Sequence, residues 1–173
     1  MMNPHISRLL LLLLILVGTA GCDQTTKHFA RTALAGQSTI QLPSGIGELV
    51  LAQNLGGHLS LGASWPKAIR QACFIFVVGA FLLALASFLV WKTKLGALEF
   101  GCLTFALAGG SSNLIDRVRQ DGAVTDFIYL HVGWLHTGIF NLADVVLELA
   151  IAGLLVSAAH TLRTERRKPS PSV

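Results

Sequence analysis

Two aspartates in an apolar part of the chain are the residues best suited to chemistry. Asp126 lies in "GAVTDFI" and Asp144 in "IFNLADVV", on either side of the entrance to the last apolar segment. A carboxylate close to a bilayer is costly to keep, so an ionisable residue there is a functional-site hypothesis by default. If the short linker between them folds back, the two acids can form an aspartyl dyad.

Such a dyad would hydrolyse an amide without a metal or a covalent nucleophile. Two carboxylates that share one site cannot both ionise, and apolar surroundings strengthen this effect. The ionised member can take a proton from water while the neutral member polarises the scissile carbonyl. The alternative is ordinary helix capping, with Asn141 as the cap of the last helix and Asp144 at its third position. Capping does not explain Asp126, so the functional interpretation depends on that residue.

The composition predicts a membrane protein. Of the 173 residues, 53% are hydrophobic and only 13% are charged, whereas a soluble domain has about 25% charged residues. The uncharged run from Gln71 to Trp91 is long enough to cross the hydrocarbon core, which needs about 20 residues. Three further apolar segments carry charged residues near one end. We therefore predict an all-α membrane protein with four transmembrane helices, at about 9–34, 70–91, 95–115 and 139–161.

The segment between the first two spans, about 36–66, has a different character. Glycine, serine and proline punctuate it, and short alternating stretches occur around Thr39–Leu42 and Glu48–Ala52. This pattern predicts a small β-rich element on the outer face, which could cover a site at the membrane surface. The element is too small for a domain of its own, so residues 1–173 are predicted to form a single integral membrane domain. Its tail, about 163–173, would be cytoplasmic.

Basic residues indicate the orientation of the chain. With four spans they divide seven to six between the two sides, so their number alone does not decide. The short turn with Lys92 and Lys94 and the tail "RTERRK" are both typical of cytoplasmic flanks. The net charge of +4 is then a membrane-surface signature. Nothing in the sequence suggests nucleic acid as a partner.

The first segment has a second interpretation. "RLLLLLLILVGTAGC" has a basic start, a short apolar core and small residues before Cys22, as in a secretory signal. Cleavage there would leave a lipidated Cys22. Retention of the segment is the preferred prediction, because three spans follow and a first helix makes their number even. The three cysteines show no CxxC or Cys/His spacing, so we predict neither a disulfide framework nor a zinc site.

Further polar residues occur near the predicted outer ends of the spans. Asp23 and Lys27 stand four positions apart, the spacing of a helical ion pair that could anchor a helix end at the interface. Asn54 follows a predicted strand and precedes two glycines. Its amide could bind an extended substrate backbone, or it could simply form a turn.

A second polar group ends the third span. Asn113, Asp116 and Arg117 fall within about one helical turn of each other. Asp116 and Arg117 could pair with each other or cap the helix. Arg117 could instead bind a carbonyl or a lipid phosphate, or hold a neighbouring catalytic carboxylate in place.

Five blocks of the sequence resemble, in order, the signature blocks of lipoprotein signal peptidase, also called signal peptidase II. They are "DQTTK" (Asp23–Lys27), "NLGGHLS" (Asn54–Ser60), "NLIDR" (Asn113–Arg117), "GAVTDF" (Gly122–Phe127) and "FNLAD" (Phe140–Asp144). The resemblance covers about residues 8–160. It implies an aspartyl protease of the bacterial inner membrane, with four helices, a small periplasmic β-rich element and cytoplasmic termini. Such an enzyme cuts the signal peptide from diacylglyceryl-modified prolipoproteins just before the lipidated cysteine, with no cofactor or metal.

The resemblance also implies roles for particular residues. Asp126 and Asp144 would be the catalytic pair. Four residues would line the site, to contact the substrate backbone or orient the acids: Asn54, Asn113, Arg117 and Asn141. Three would support it: Asp23, Lys27 and Asp116. Three positions depart from the usual pattern and put the geometry of the substrate loop and the packing of the third span in question: His58, Leu59 and Ser112.

Three other functions fit parts of the pattern. In a transporter or proton relay, Asp126, Asp144 and Glu148 would pass protons, but only Glu99 lies near the opposite face. In a scaffold protein the acids would merely cap helices. His131, His136 and Asp126 could in principle bind a metal, but their spacing matches no zinc motif.

Overall fold

The computed structural model describes residues 4–36, 39–43, 45–92 and 94–166, which form four long helices and one small sheet. The helices are α1 (Pro4–Ala33), α2 (Lys67–Trp91), α3 (Ala97–Arg119) and α4 (Leu142–Arg166). The strands are β1 (Ile40–Gln41), β2 (Gly47–Asn54), β3 (Val124–Val132) and β4 (Leu135–His136). They form an antiparallel sheet in chain order, and a 3₁₀ turn (His58–Ser60) lies between β2 and α2.

Three stretches of the described helices are long and apolar enough to cross a membrane: His5–Ala33, Lys67–Trp91 and Leu142–Thr164. The other helix, α3, has 23 residues. It packs against all three of the others, and its buried face carries five polar side chains: Thr104, Ser112, Asn113, Asp116 and Arg117. These polar residues lower the mean hydropathy of α3. They can be accommodated because this face of α3 packs against other helices. The predicted fourth crossing stays a prediction.

The helix ends differ from the predicted spans by a few residues. The first begins at Pro4, and the second begins at Lys67 and contains a π-helical stretch, Ala72–Val77. The third extends past 115 to Arg119. The last begins at Leu142 because Phe140 forms an antiparallel bridge with Ile128 of β3. That helix continues into the predicted tail, and the rest of the tail lies outside the described residues.

The predicted β-rich element exists, but it recruits a strand from elsewhere. β2 covers the alternating stretch Glu48–Ala52 and pairs with β3, with Ala52 opposite Asp126 and Asn54 opposite Val124. The sequence predicted only a short linker between Asp126 and Asp144 and no strand there, whereas β3 includes Asp126 and the residues that follow it. Its segment "VTDFIYLHV" is rich in β-branched and aromatic residues, which favour strands. Asp126 is therefore held by a sheet rather than by a loop.

Two apolar clusters and one glycine position the site. Leu12, Leu82, Leu89, Phe100 and Leu107 form a core between α1, α2 and α3. At the other end of α1, Ala30 and Leu34 pack against Phe127, next to Asp126. α3 and α4 approach closely at Gly109, where a Cβ atom would lie 2.9 Å from the carbonyl oxygen of Ala143. These contacts fix β3 and the start of α4 against the same end of the bundle.

Candidate active site

Asn141 connects the two aspartates. Its side-chain amide donates a 2.6 Å hydrogen bond to Oδ1 of Asp126. Its backbone N–H donates to Oδ2 of Asp144 at 3.2 Å, and its Oδ1 accepts from the Asp144 N–H at 3.0 Å. The last two bonds form a capping box at the start of α4. The capping interpretation is therefore correct in geometry, but the same residue also holds Asp126.

Asp126 lies in an environment that favours its neutral form. Burial raises its pKa from 3.8 to about 6, and the charge of Asp144 also raises it. Hydrogen bonds from Asn141 and Asn54 act in the opposite direction without cancelling the rise. Burial disfavours a carboxylate because the charge loses its hydration. The two carboxyl groups belong to one site, since Asn141 hydrogen-bonds both of them.

Asn113 serves Asp144 and has its orientation set by Lys27. The Lys27 ammonium donates to Asn113 Oδ1 at 2.8 Å, and Asn113 Nδ2 donates to Asp144 Oδ1 at 2.9 Å. An ammonium group can only donate, so it requires the amide oxygen on its side and turns the amide nitrogen toward Asp144. Asn141 Nδ2 also lies 3.3 Å from Asn113 Oδ1. Asn113 and Asn141 therefore both contact the aspartates.

Lys27 is fully buried among its partners. Its ammonium lies 2.7 Å from Asp23 Oδ2 and 3.1 Å from Asp116 Oδ2. The i,i+4 spacing predicted that Asp23 and Lys27 form an ion pair, with a role in anchoring a helix end at the interface. The pair forms and both side chains have zero exposure, whereas the anchoring role stays a prediction. A buried charge needs several partners to offset its lost hydration, and Lys27 has three.

Asp23 caps a helix that lies far from it in sequence. Its Oδ1 accepts the backbone N–H of Ala143, in the first turn of α4, at 2.8 Å. Its Oδ2 accepts the hydroxyl of Ser112 at 2.6 Å. An acid at a helix N-terminus satisfies a backbone donor that has no partner within the helix. The departure at Ser112 thus supplies a hydrogen bond to Asp23, and the hydroxyl fits inside the bundle.

Asp116 holds the strand that carries Asp126. It accepts the backbone N–H of Thr125 at 3.1 Å and the side chain of Gln24 at 3.1 Å. Arg31 lies 3.8 Å away and donates to the Thr125 hydroxyl at 2.8 Å. Gln24, Arg31 and Thr125 were not among the predicted site residues. Gln24 belongs to the "DQTTK" block and Thr125 to "GAVTDF", so the blocks were the available signal.

Arg117 binds a carbonyl of the protein itself. Its Nη2 donates to Gly56 O at 2.9 Å, and its guanidinium lies over the Phe74 ring at 5.4 Å. The possible pairing of Arg117 with Asp116 does not occur among the described contacts. Gly56 is required here, because a Cβ atom at this position would clash with the carbonyl oxygen of Leu61. Arg117 therefore ties the loop after β2 to the end of α3.

Asn54 forms the turn that the sequence allowed. Its Nδ2 donates to Gly57 O at 3.1 Å, and its Oδ1 accepts the Gly56 N–H at 2.9 Å. Asn54 also borders a cavity of about 190 Å³ beside Asp126. The other lining residues are Ala52, Gln53, Ser60, Gly138 and Ile139. The edge of the sheet and the segment before α4 thus enclose an open space next to one carboxylate.

The structure separates the residues of the other candidate functions. His131 lies opposite His136 on β4. It is five positions from Asp126 along β3, and an odd spacing places the two side chains on opposite faces of the strand. Glu148 is exposed and lies 3.9 Å from His58. Glu99 accepts hydrogen bonds from Gly96 and Ser157 at the far end of α3.

Fold and site together define a class: a helical membrane protein with two interacting carboxyl groups near one end of its bundle. A family model described as signal peptidase (SPase) II matches residues 14–160. A lipoprotein signal peptidase of Desulforapulum autotrophicum is 32% identical over 144 residues, which are 81% of this chain and 84% of that protein. One of Bifidobacterium adolescentis is 34% identical over 148 residues, 82% of this chain and 73% of that protein.

The fold is also similar to that of a solved structure. A bacterial membrane enzyme determined by the in meso method at 2.3 Å resolution has a TM-score of 0.74 and 23% identity, over 94% of both chains. The chain belongs to the signal peptidase II family and is a protease of lipoprotein processing. The resemblance found in the sequence blocks is confirmed.

Proposed function

We propose that this protease is an aspartyl endopeptidase whose substrates are diacylglyceryl-modified prolipoproteins. It would cut just before the lipidated cysteine, with Asp126 and Asp144 as the water-activating pair. One observation carries this proposal: the single residue Asn141 hydrogen-bonds both carboxyl groups. If Asn141 only capped the last helix, its bonds to Asp144 would be sufficient, and its bond to Asp126 would have no purpose.

The surroundings of the two acids support different roles. Asp126 would take up the shared proton once bound substrate excludes solvent, since burial already raises its pKa to about 6, and would then polarise the scissile carbonyl. Asp144 accepts one N–H donor on each oxygen, from Asn113 and Asn141, an arrangement suited to a carboxylate. It would take the proton from the attacking water. Substrate binding in the cavity beside Asp126 would exclude the remaining solvent.

The other predicted residues would act on this pair or on the substrate. Asn113 and Asn141 would orient the acids, and Asn54 would face the substrate backbone from the edge of the cavity. Arg117 would hold the loop that borders the cavity, through Gly56. Asp23, Lys27 and Asp116 would support the site by joining its helices and β3: Asp23 through the start of α4, Asp116 through Thr125 and Lys27 through Asn113.

We place the site near the periplasmic face of the bacterial inner membrane, with all four helices crossing and both termini cytoplasmic. Residues 1–173 would form one domain. Arg8 and Asp23 are fifteen residues apart on α1, or about 22 Å at 1.5 Å per residue. This distance fits within a hydrocarbon core of about 30 Å. If Arg8 marks the cytoplasmic boundary, a lipid-anchored cysteine in the outer leaflet can reach the carboxyl groups. Membrane lipids are the other partners, and the proposal invokes neither a cofactor nor a metal.

Substitution of each aspartate tests the proposal. Asp126→Asn and Asp144→Asn should each abolish processing, measured as the gel shift of a diacylglyceryl-modified prolipoprotein in a strain that lacks the enzyme. Both variants should still insert in the membrane. Asp121→Asn is the matched control, because Asp121 is exposed and pairs with Lys67, and it should process normally. Normal processing by either of the first two variants would exclude the aspartyl mechanism, and inhibition by a chelator would indicate a metal instead.

A further inference from the structure

A crevice lies at the end of the bundle opposite the aspartates. It is formed by the start of α1, the end of α2 and the start of α3, and has a volume of about 180 Å³. Its walls are apolar, with Leu9, Leu12, Leu89 and Phe100 among them, and its lining also includes Arg8 and Lys92. No acidic side chain lines it among the described residues. The crevice therefore combines an apolar interior with positive charge.

The two charges are placed differently. The Arg8 guanidinium lies 4.6 Å from the centre of the Phe100 ring, a cation–π contact that holds the charge against the wall. Lys92 is the first residue after α2, where its N–H bonds to Phe88 O at 2.8 Å, and it is exposed. Glu99 is the nearest acid in sequence to Phe100, and its carboxylate contacts Gly96 and Ser157.

The mouth of the crevice suits a lipid. Leu9 and Val90 line it and are themselves exposed, at 45% and 52%, on two helices that are long and apolar enough to cross a membrane. Arg8 and Lys92 lie at helix ends, where basic side chains reach the headgroup layer. Arginine and lysine both bind phosphate. An anionic molecule with an apolar body matches both features.

We propose that this crevice binds one anionic phospholipid, with its phosphate at Arg8 and Lys92 and an acyl chain along Leu9, Leu12 and Leu89. Leu12, Leu89 and Phe100 also belong to the core between α1, α2 and α3. A lipid bound there touches all three helices and stabilises their arrangement. The binding site is separate from the aspartates and does not depend on their role.

Native mass spectrometry of the full chain in a neutral detergent tests the proposal. Phosphatidylglycerol and phosphatidylcholine with the same acyl chains are added in turn, and the affinity of the first bound lipid is measured. Each basic residue near a membrane surface strengthens the binding of anionic lipid by about fivefold. We therefore expect a preference of about 25-fold for phosphatidylglycerol. Phosphatidylglycerol should also raise the thermal unfolding midpoint more than phosphatidylcholine does.

Single-charge variants distinguish the crevice from a general surface effect. Lys92→Gln should weaken the binding of phosphatidylglycerol by about fivefold. Lys94→Gln is the matched control: it removes the same charge two residues later, from a side chain that does not line the crevice, and should leave the affinity unchanged. Arg8→Gln should act like Lys92→Gln, and Arg8→Lys should restore binding. If Arg8→Gln does not fold, the comparison of Lys92→Gln with Lys94→Gln decides.

Three results would overturn the proposal. Equal affinity for the two lipids would remove the charge selectivity. An equal loss in Lys94→Gln and Lys92→Gln would show that the whole basic surface attracts lipid. Displacement of the lipid by glycerol phosphate, which has no acyl chains, would identify an anion site and not a lipid site.

Discussion

Replacing Asp126 by asparagine should inactivate the protein and yet stabilise its fold at neutral pH. The pKa of Asp126 rises from 3.8 to about 6 in the folded chain. Below pH 3.8 this carboxyl group is neutral in both the folded and the unfolded chain, and the folded state keeps its full stability. As the pH rises through about 6 the buried group must ionise, and the free energy of unfolding falls. Asparagine does not titrate, so it avoids this loss. The gain should therefore be absent at pH 4 and complete near pH 8.

The size of the gain follows from the two pKa values. The difference between 3.8 and about 6 corresponds to about 3 kcal/mol in the free energy of unfolding. The asparagine oxygen still accepts the bond from Asn141, and the charge assistance of that bond is already contained in the folded pKa. The gain is therefore about 3 kcal/mol. For a chain of 173 residues this raises the unfolding midpoint by about 6–12 °C.

The assay is thermal unfolding of the purified protein in detergent at a series of pH values from 4 to 8. Asp121→Asn is the control, because the hydrogen bond from Lys67 lowers the pKa of the exposed Asp121. Its contribution to stability is present at high pH and lost on acidification, so this variant should gain nothing at pH 8. A lower midpoint for Asp126→Asn at pH 8, or an equal gain at pH 4 and pH 8, would refute the reasoning.

Two further predictions concern Lys27 and Cys22. Lys27→Met should lower the free energy of unfolding by about 3–5 kcal/mol, because it leaves Asp23 and Asp116 buried without their shared cation. Denaturation in detergent measures this change. A Lys27→Met variant as stable as the parent chain would mean that the cluster does not depend on the charge. Cys22 should remain part of an uncut chain, because α1 continues through it to Asp23, which holds the start of α4. Intact mass of the purified protein measures this, and a mass that begins at Cys22 would contradict it.

The membrane class and the residues of the candidate site could be predicted from the sequence. Long apolar runs indicate a membrane protein directly, because the thickness of the hydrocarbon core sets the number of apolar residues that a crossing helix needs. The five blocks led to the family and to both aspartates. The i,i+4 spacing of Asp23 and Lys27 also predicted their ion pair, since residues four apart are neighbours on any α-helix. These features are local and need no knowledge of the fold.

The surroundings of those residues could not be predicted. Burial of Lys27, the strand that holds Asp126 and the bond from Asp23 to Ala143 all depend on segments that meet only after folding. Ser112 looked like a disturbance of packing in the sequence, whereas the structure makes it a donor to Asp23.

The chemistry of the candidate site depends on both the sequence and the tertiary structure. The sequence by itself determined which polar side chains stand in an apolar setting and which lie on the same helical turn. Only the tertiary structure decided that Asn141 joins Asp126 to Asp144 and that burial raises the pKa of Asp126. The physical reason is that hydrogen bonds and lost hydration depend on distances across the bundle. Spacing along the chain does not specify those distances.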